Sequence, residues 1–423
     1  MIQEKTIQIA VIGGGAAGLA AAAECAASGV SVLVIDREEI PGGILRQCIH
    51  NGFGLHCFKE ELTGPEYADR VMKQAQNAGA GFCCNTSVTD IVRNPDGSFT
   101  LLLLSPETGV TRLHASAVIL AMGCRERNRG NLAVPGSRPA GVFTAGCAQK
   151  LLNIEGMLPG KCAVIVGSGD IGLIMARRLR WSGVEVKAVV EIMPHPSGIT
   201  RNVVQCLEDF NIPLYLEHAV VSINGRERVR SVDVAPLSEG IPQLEQKFNI
   251  PCDTVLFSVG LIPENELALK LGVELNPATG GAVVDADYCT NIPGVFAGGN
   301  VLHVHDLVDF VSEESARAAQ AAVRYLKGAE KAERNPVKVS ANLKYAVPNF
   351  YTAGKTTVFA FRPLVVCEAA ELVAELNGEK VWKRRFFHIR PAEMLMVELD
   401  GEVLNAAGTL EFKLIPGHKE VKK

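Results

Sequence analysis

Six glycines carry the most specific chemistry in the chain. Gly13, Gly15 and Gly18 frame the run Gly13-Gly14-Gly15-Ala16-Ala17-Gly18; Gly167, Gly169 and Gly172 frame Gly167-Ser168-Gly169-Asp170-Ile171-Gly172, about 150 residues later. Each run follows an apolar strand (Ile7 to Ile12, Cys162 to Val166) and opens an apolar helix. In such a run the first glycine permits a tight turn, the second lets the backbone approach a pyrophosphate, and the third closes the helix onto the strand. The first helical turn then turns its unpaired N–H groups toward the phosphate charge. An acidic residue follows each run. Asp36 ends the strand Val30 to Ile35 and Glu191 ends Glu185 to Val190, where a carboxylate accepts hydrogen bonds from an adenosine ribose. Ile192 to Pro196 contain no Arg or Lys to neutralise a 2′-phosphate, which predicts NAD rather than NADP at the second site. One glycine run alone is weak evidence; two, each with its acidic partner, imply two dinucleotides and electrons passing between them. The alternatives are two ligand-free units of this kind, or one working site and one relic.

Other reactive side chains are less specific. The twelve cysteines are scattered, with no C-x-x-C spacing, and Cys83-Cys84 reads as part of a core strand. His303 and His305 stand two apart near Asp306, but no third or fourth ligand is apparent, so no metal is expected.

The elements that must position these residues follow an α/β pattern. From Met1 to about Arg127 the order is strand, glycine turn, helix, strand and a mixed segment. That segment holds a helix over Gly64 to Ala78, a turn at Asn94-Pro95-Asp96-Gly97, a strand over Phe99 to Leu104 and an apolar strand over Ala117 to Leu120. A linker and one helix lead into the second unit, which runs to about Asp285 with a helix at Asn202 to Phe210 and a strand at Thr254 to Val259. Turn, strand, glycine pair and helix then run from Asn291 to about Lys327. Beyond the charged segment Lys327 to Arg334, Thr357 to Phe361, Leu372 to Leu376 and Leu395 to Leu399 read as strands. Asn377-Gly378 and Asp400-Gly401 give hairpin signals between them. The expected domains are therefore 1–127, 128–285, a return segment 286–333, and a small β domain 334–423 that serves as an interface or as packing.

Composition agrees. A length of 423 residues accommodates two or three domains, and 48% hydrophobic residues suit parallel sheets covered on both faces. The net charge of −4 gives no reason to expect nucleic acid. The N-terminal apolar stretch is broken by Gly13 to Gly15, Glu24 and Asp36, so neither a signal peptide nor a transmembrane segment is expected, and reduced thiols in a cytoplasm are the default.

In this order the motifs resemble the two-dinucleotide flavoproteins of the thioredoxin-reductase and pyridine nucleotide-disulfide oxidoreductase fold. There an FAD domain is interrupted by an NAD(P) domain and resumes after it. The resemblance rests on the two glycine runs, Pro41-Gly42-Gly43, Ala121-Met122-Gly123, Ser258-Val259-Gly260 and Pro293 to Asn300 (PGVFAGGN). It implies an FAD site built from Gly13, Gly15, Ala16, Ala17, Gly18, Asp36, Arg37, Gly43, Val88, Ala121, Gly123, Asn300, Val308 and Asp309. It implies an NAD site built from Gly167, Gly169, Asp170, Ile171, Gly172, Glu191 and Gly260. The family ends its second FAD motif in Gly-Asp, with the carboxylate on the ribityl hydroxyls; this chain has Gly299-Asn300, whose amide both donates and accepts. N–H groups at Val308 and Asp309 would face the flavin N1/O2 edge. Gly42 to Gly54, Cys124 to Arg127 and Pro391-Ala392-Glu393-Met394 are similar to one subfamily. It comprises the flavin subunits associated with anaerobic glycerol-3-phosphate dehydrogenase and those of opine, proline and cyanide-forming glycine dehydrogenases.

Disulfide reductases of this fold need two cysteines at close spacing beside the flavin. Cys48 and Cys57 have eight residues between them and Cys147 stands by itself, so disulfide reduction is not expected. Cys48, five residues past Gly43, is either a packing residue or a thiolate that cycles through a sulfenic acid. His50 is the nearest candidate proton carrier. The resulting expectation is an FAD-dependent, NAD(H)-linked oxidoreductase that exchanges electrons with a partner flavoprotein dehydrogenase, or a homo-oligomer. A self-contained NADH oxidase or peroxidase using Cys48, a complete amino-acid or polyol-phosphate dehydrogenase, and a nucleotide-responsive scaffold or sensor remain as alternatives.

Overall fold

The computed structural model describes residues 3–329 and 333–417, so 330–332 of the expected charged linker and the last six residues lie outside the described residues. The chain forms two compact units, 1–124 with 263–423, and 125–262.

In the first unit a seven-stranded sheet has the order Gly81–Cys83, Val32–Ile35, Gln3–Ile12, Gly109–Leu120, Phe99–Ser105, Ser87–Arg93. Gln3–Ile12 runs parallel to Val32–Ile35 and to Gly109–Leu120, its apolar end fully buried as a doubly covered strand requires. Gly109–Leu120 has two partners on its other edge. Residues 109–115 pair antiparallel with Phe99–Ser105, while Val118, Ile119 and Leu120 pair parallel with Val295–Ala297. The sequence reading finds only the last four residues of this strand, because its first half alternates buried and exposed side chains instead of being apolar throughout. Helices Ala16–Ala27, Gly64–Asn77 and Val308–Leu326 cover the sheet, and Tyr67, Phe296, Val311 and Ala319 join one core under them.

The second unit holds a parallel sheet in the order Val142–Thr144, Thr254–Phe257, Cys162–Val166, Glu185–Val190, Leu214–Tyr215. An antiparallel layer formed by His218–Gly225, Val229–Ser238, Ile241–Pro242 and Phe248–Pro251 has no counterpart in the sequence reading. The expected helix Asn202 to Phe210 is shorter and earlier, at Thr200–Cys206, and gives way to a single tight turn at Glu208–Phe210.

Two boundaries differ from the expected ones. The stretch 263–285 belongs to the first unit, because Ala268, Val273, Ala282 and Val284 pack into the core with Ile12, Val118 and Leu302. The C-terminal β segment is also part of that unit. Tyr345 and Val347 enter the same core, and Asn349 exchanges two hydrogen bonds with Val284 (2.9 and 3.0 Å). Its two sheets enclose Phe359, Phe361 and Phe412. Asn377-Gly378 does form a two-residue hairpin loop between Cys367–Leu376 and Glu379–Ile389, both residues having positive φ as the primed turn demands. Asp400-Gly401 does not: Leu395–Leu399 pairs with Thr357–Pro363, and the strand after the loop joins the other sheet. Among the described residues no helix is long and apolar enough to cross a membrane.

Candidate functional site: two glycine turns and a buried histidine–glutamate cluster

Both glycine runs form strand-to-helix turns. A Cβ on Gly13 would sit 2.4 Å from the Ala121 carbonyl oxygen, and one on Gly18 would sit 1.8 Å from that of Gly13. Neither position admits any other residue. A Cβ on Gly15 would meet nothing within 4 Å, so the backbone there borders open space. Gly15 caps the helix Ala16–Ala27 without any side-chain acceptor, in contrast to Thr63, whose hydroxyl and Glu66 form a reciprocal capping box on Gly64–Asn77. The first turn of Ala16–Ala27 is thus left for an external acceptor. Gly43 closes the cradle: the N–H of Gly42 donates to the Gly14 carbonyl at 2.7 Å, and a Cβ on Gly43 would lie 3.1 Å from the Gly15 Cα. These features fit a pyrophosphate-bearing cofactor.

Asp36 stands at the end of the next strand, partly exposed. Its carboxylate accepts from Gly14 N–H (2.5 Å) and Glu38 N–H (2.8 Å). With about four acceptor positions on a carboxylate, capacity remains for a ribose. Arg37 is exposed beside Glu38, and Val88 lies partly buried in Ser87–Arg93. Ala121 is buried and donates to the Ile12 carbonyl; Gly123 has open space at its Cα.

In the second FAD motif the Asn300 side chain is bonded within the chain. Asn300 Oδ1 accepts from the His305 N–H at 3.0 Å, while its amide donates to Cys124 Sγ at 3.7 Å. The helix starts at Val308 as expected, and the Asp309 side chain is buried, accepting from Gly54 N–H (3.2 Å) and Cys57 N–H (2.8 Å). It therefore locks the loop after His50 onto the helix N-terminus.

The expectation that His303 and His305 lack a third partner is corrected. Glu314, two turns into the helix, comes back under the loop and is buried with both. Glu314 Oε1 accepts from Gly299 N–H at 2.8 Å; Oε2 faces His303 Nε2 at 2.8 Å and His305 Nε2 at 3.4 Å. The shorter separation is a hydrogen bond, less than the ~3.3 Å that two ligands on ~2.0 Å bonds subtend in a tetrahedral metal site. His305 Nδ1 faces the His303 carbonyl at 3.0 Å. Burial pulls the His303 pKa down. Burial alone would raise Glu314, but the adjacent imidazoles outweigh it and hold the carboxyl well below the usual carboxylate range. The loop's outer side is held too. Arg362 makes a two-pronged ion pair with Asp306 (2.9 and 3.0 Å) and donates to the carbonyls of Val304 and Ala392. The Met394 N–H reaches Asp306 at 2.6 Å.

The thiols do not form a redox pair: none of the twelve cysteines is joined in a disulfide. Cys48 donates to the Ile44 carbonyl at 3.3 Å, and burial pushes its thiol up to about 12, which removes the thiolate that a sulfenic-acid cycle needs. The His50 ring packs on Phe53 with its Nδ1 3.0 Å from the Asn51 carbonyl. Cys147 is exposed in the first turn of Ala145–Asn153, beside a cavity of about 350 Å³ lined by Phe143, Phe257 and Arg129.

In the second unit Gly167 packs as Gly13 does, its Cβ position 2.1 Å from the Ser258 carbonyl oxygen, and a Cβ on Gly172 would sit 2.7 Å from that of Ser258. Gly169 caps Asp170–Trp181 without a side-chain acceptor, and the Gly260 carbonyl accepts from Arg127 N–H. Ile171 is partly exposed on that helix. Glu191, the expected ribose acceptor, is bonded within the chain. It is 4% exposed, and its oxygens accept from Ser168 N–H (3.0 Å), Ser168 Oγ (2.5 Å), Met193 N–H (2.9 Å) and Ser197 Oγ (2.9 Å).

The chain belongs to the pyridine nucleotide-disulphide oxidoreductase family, which it matches over residues 7–325, a family of FAD-dependent oxidoreductases. It is 27% identical to hydrogen cyanide synthase subunit HcnB of Pseudomonas protegens over 63% of this chain and 59% of that protein. It is 29% identical to an opine oxidase subunit of Agrobacterium tumefaciens (69% and 60%) and 28% identical to the glutamate synthase [NADPH] small chain of Mycobacterium tuberculosis (79% and 69%). The chain spans about three-fifths of the length of the first two. Among solved structures, thioredoxin reductase of T. acidophilum superposes with a TM-score of 0.63 at 26% identity, over 77% of this chain and 99% of that one. L-proline dehydrogenase of P. horikoshii shares the fold at a TM-score of 0.54 and 17% identity, over 78% and 56%.

Proposed function

We propose that this protein is an FAD-dependent NAD(H) oxidoreductase of the cytoplasm that exchanges electrons with a partner flavoprotein dehydrogenase of the glycerol-3-phosphate or amino-acid type. The observation that carries the first half is the pairing of the two FAD motifs. Gly13 to Gly18 follow Gln3–Ile12, Gly298 to Asn300 follow Val295–Ala297, and both strands flank Leu120 in parallel register. Bound between them, FAD supplies a two-electron acceptor for hydride from a reduced nicotinamide. The chain's own part is to hold and tune it. The N–H groups opening Ala16–Ala27 take the pyrophosphate, Asp36 takes the ribose, and Asn300, Val308 and Asp309 stand at the flavin end. The uncapped first turn of Val308–Leu326 favours negative charge on a reduced ring by a fraction of a kcal/mol up to ~2 kcal/mol. No cysteine pair is placed to relay electrons to a disulfide, so a protein partner or a dye is the expected acceptor or donor.

The partner half rests on relatives whose names mark them as subunits or small chains of larger enzymes. The test is co-purification with the products of neighbouring genes. The expected result is a hetero-oligomer that completes a substrate dehydrogenase, while the chain by itself passes electrons from NADH to dyes. A chain that oxidises glycerol 3-phosphate or proline unaided at several turnovers per second defeats the proposal.

A further inference from the structure

Ser197, Gly198 and Ile199 form a strap across the second glycine turn. Ser197 N–H donates to Ser168 Oγ at 2.8 Å and its hydroxyl donates to Glu191 Oε2 at 2.9 Å. Ile199 N–H and the Asn202 amide both donate to Asp170 Oδ1, at 3.0 and 2.7 Å. Gly198 lies flush on the helix start: a Cβ there would come within 2.7 Å of Leu173 Cδ1, 2.8 Å of Asp170 Oδ1 and 3.0 Å of the Ser168 carbonyl oxygen. Beneath it Ser168 is fully buried and Glu191 nearly so.

The contrast with the first unit is chemical. Asp36 accepts two backbone N–H bonds and is partly exposed, whereas Glu191 accepts four bonds, three of them on Oε2, which leaves that oxygen no free acceptor position. Two of the four come from hydroxyl groups, the donors that the 2′- and 3′-hydroxyls of an adenosine ribose would present. We propose that Ser197 is a specificity-determining residue of the second nucleotide site: with Ser168 it makes to Glu191 Oε2 the contacts of a bound ribose, so NAD gains that oxygen only by displacing Ser197. This rests on reading 167–191 as a nucleotide site. The strap lowers affinity for NAD by the bonds that must be exchanged. It also weakens discrimination against NADP, because the carboxylate that would reject a 2′-phosphate is already covered.

Loosening the strap restores both properties. A hydrogen bond to a charged group is among the stronger ones, so removing the one from Ser197 should tighten NAD binding by about tenfold, ~1.4 kcal/mol. The experiment titrates NAD⁺ and NADP⁺, which do not reduce the flavin, into the oxidised holoprotein by calorimetry. Ser197→Ala removes the hydroxyl, and Gly198→Ala independently lifts the strap through its Cβ. Both should tighten NAD⁺ about tenfold and widen the NAD⁺ to NADP⁺ affinity ratio. In the unsubstituted protein, NAD⁺ should accelerate hydrogen exchange at the amides of Ser197 and Ile199. Equal NAD⁺ affinity in all three proteins, with those amides unchanged, overturns the role of Ser197 and leaves the site standing. Absence of binding of either nucleotide at millimolar concentration in all three overturns the nucleotide reading, and the role of Ser197 with it.

Discussion

Arg362 and Asp306 lie 56 residues apart and meet through both guanidinium N–H prongs and both carboxylate oxygens. The pair fastens the C-terminal β segment to the loop between the second FAD motif and the helix Val308–Leu326. Pro391 to Met394, which carry part of the subfamily resemblance, sit on the same pair: the carbonyls of Pro391 and Ala392 accept from Arg362, and Met394 N–H donates to Asp306. The C-terminal segment is thus tied at two places to the loop that follows Gly298 to Asn300.

Arg362→Ala should lower stability by about 3 kcal/mol, since it leaves Asp306 and three carbonyls without a shared donor at a site where Arg362 is only 14% exposed. Arg362→Lys should recover less than half, because an ammonium cannot serve the carboxylate and the carbonyls together. Denaturant midpoints of the three proteins check this, and a lysine variant as stable as the original refutes it.

Truncation after Arg334 should yield aggregated protein, not a soluble chain that has merely lost a partner surface. It strips Tyr345 and Val347 from the core of the FAD-side sheet and leaves both backbone bonds of Val284 to Asn349 unmade. Size exclusion of the truncated chain is the measurement; a monodisperse, yellow product contradicts it.

Gly15→Ala and Gly18→Ala should separate cofactor binding from folding. At position 15 a methyl group has open space and an allowed extended backbone, so the protein folds normally yet loses FAD affinity by about tenfold or more. At position 18 the methyl would overlap the Gly13 carbonyl, and the fold itself should fail. Circular dichroism together with FAD titration distinguishes the two.

The buried Glu314 cluster predicts acid sensitivity with a definite sign. Unfolded, Glu314 titrates near 4.5 and His303 near 6.5; folded, both are lowered. The unfolded chain therefore binds more protons, and stability falls as pH drops, first through 6.5 and again through 4.5. Glu314→Gln should cost about 3–5 kcal/mol at pH 7 and flatten the lower step. Denaturation at pH 7.5, 5.5 and 4 checks both features.

Cys48→Ser should change NADH-to-dye electron transfer by less than about tenfold, because a thiol with its pKa pushed up to about 12 is protonated at neutral pH. A loss of 100-fold, equivalent to ~2.7 kcal/mol of transition-state stabilisation, restores a thiol mechanism.

The glycine turns were legible because they are backbone requirements: at 13, 18 and 167 the neighbouring carbonyl excludes a Cβ, so chemistry and residue type coincide. Their acidic partners were legible in place but not in state. Nothing in Met193-Pro194-His195-Pro196-Ser197 reveals that Ser197 bends back to Glu191, since a serine after prolines reads as an ordinary loop. The Glu314 cluster was hidden for a related reason. It lies eleven positions after His303, and only the fold-back of the loop onto the helix joins them. Among elements, doubly buried strands stood out as apolar runs, while the half-exposed strands 109–115 and 218–251 lacked that signal. Asp400-Gly401 misled because a turn dipeptide specifies a reversal, not which strand the returning chain will join.

The strand Gly109–Leu120 also imposes a schedule on synthesis. Both partners of its N-terminal half precede it in the chain, but Val118 to Leu120 have one edge whose partner, Val295 to Ala297, is made about 175 residues later. At ~5–20 residues per second a ribosome takes roughly 9–35 s over that interval. Throughout it the nascent chain presents an unpaired apolar edge to any neighbouring strand. The intervening residues 125–262 form a compact unit of their own, which can condense during the wait and so remove the nearest competing strands from that edge.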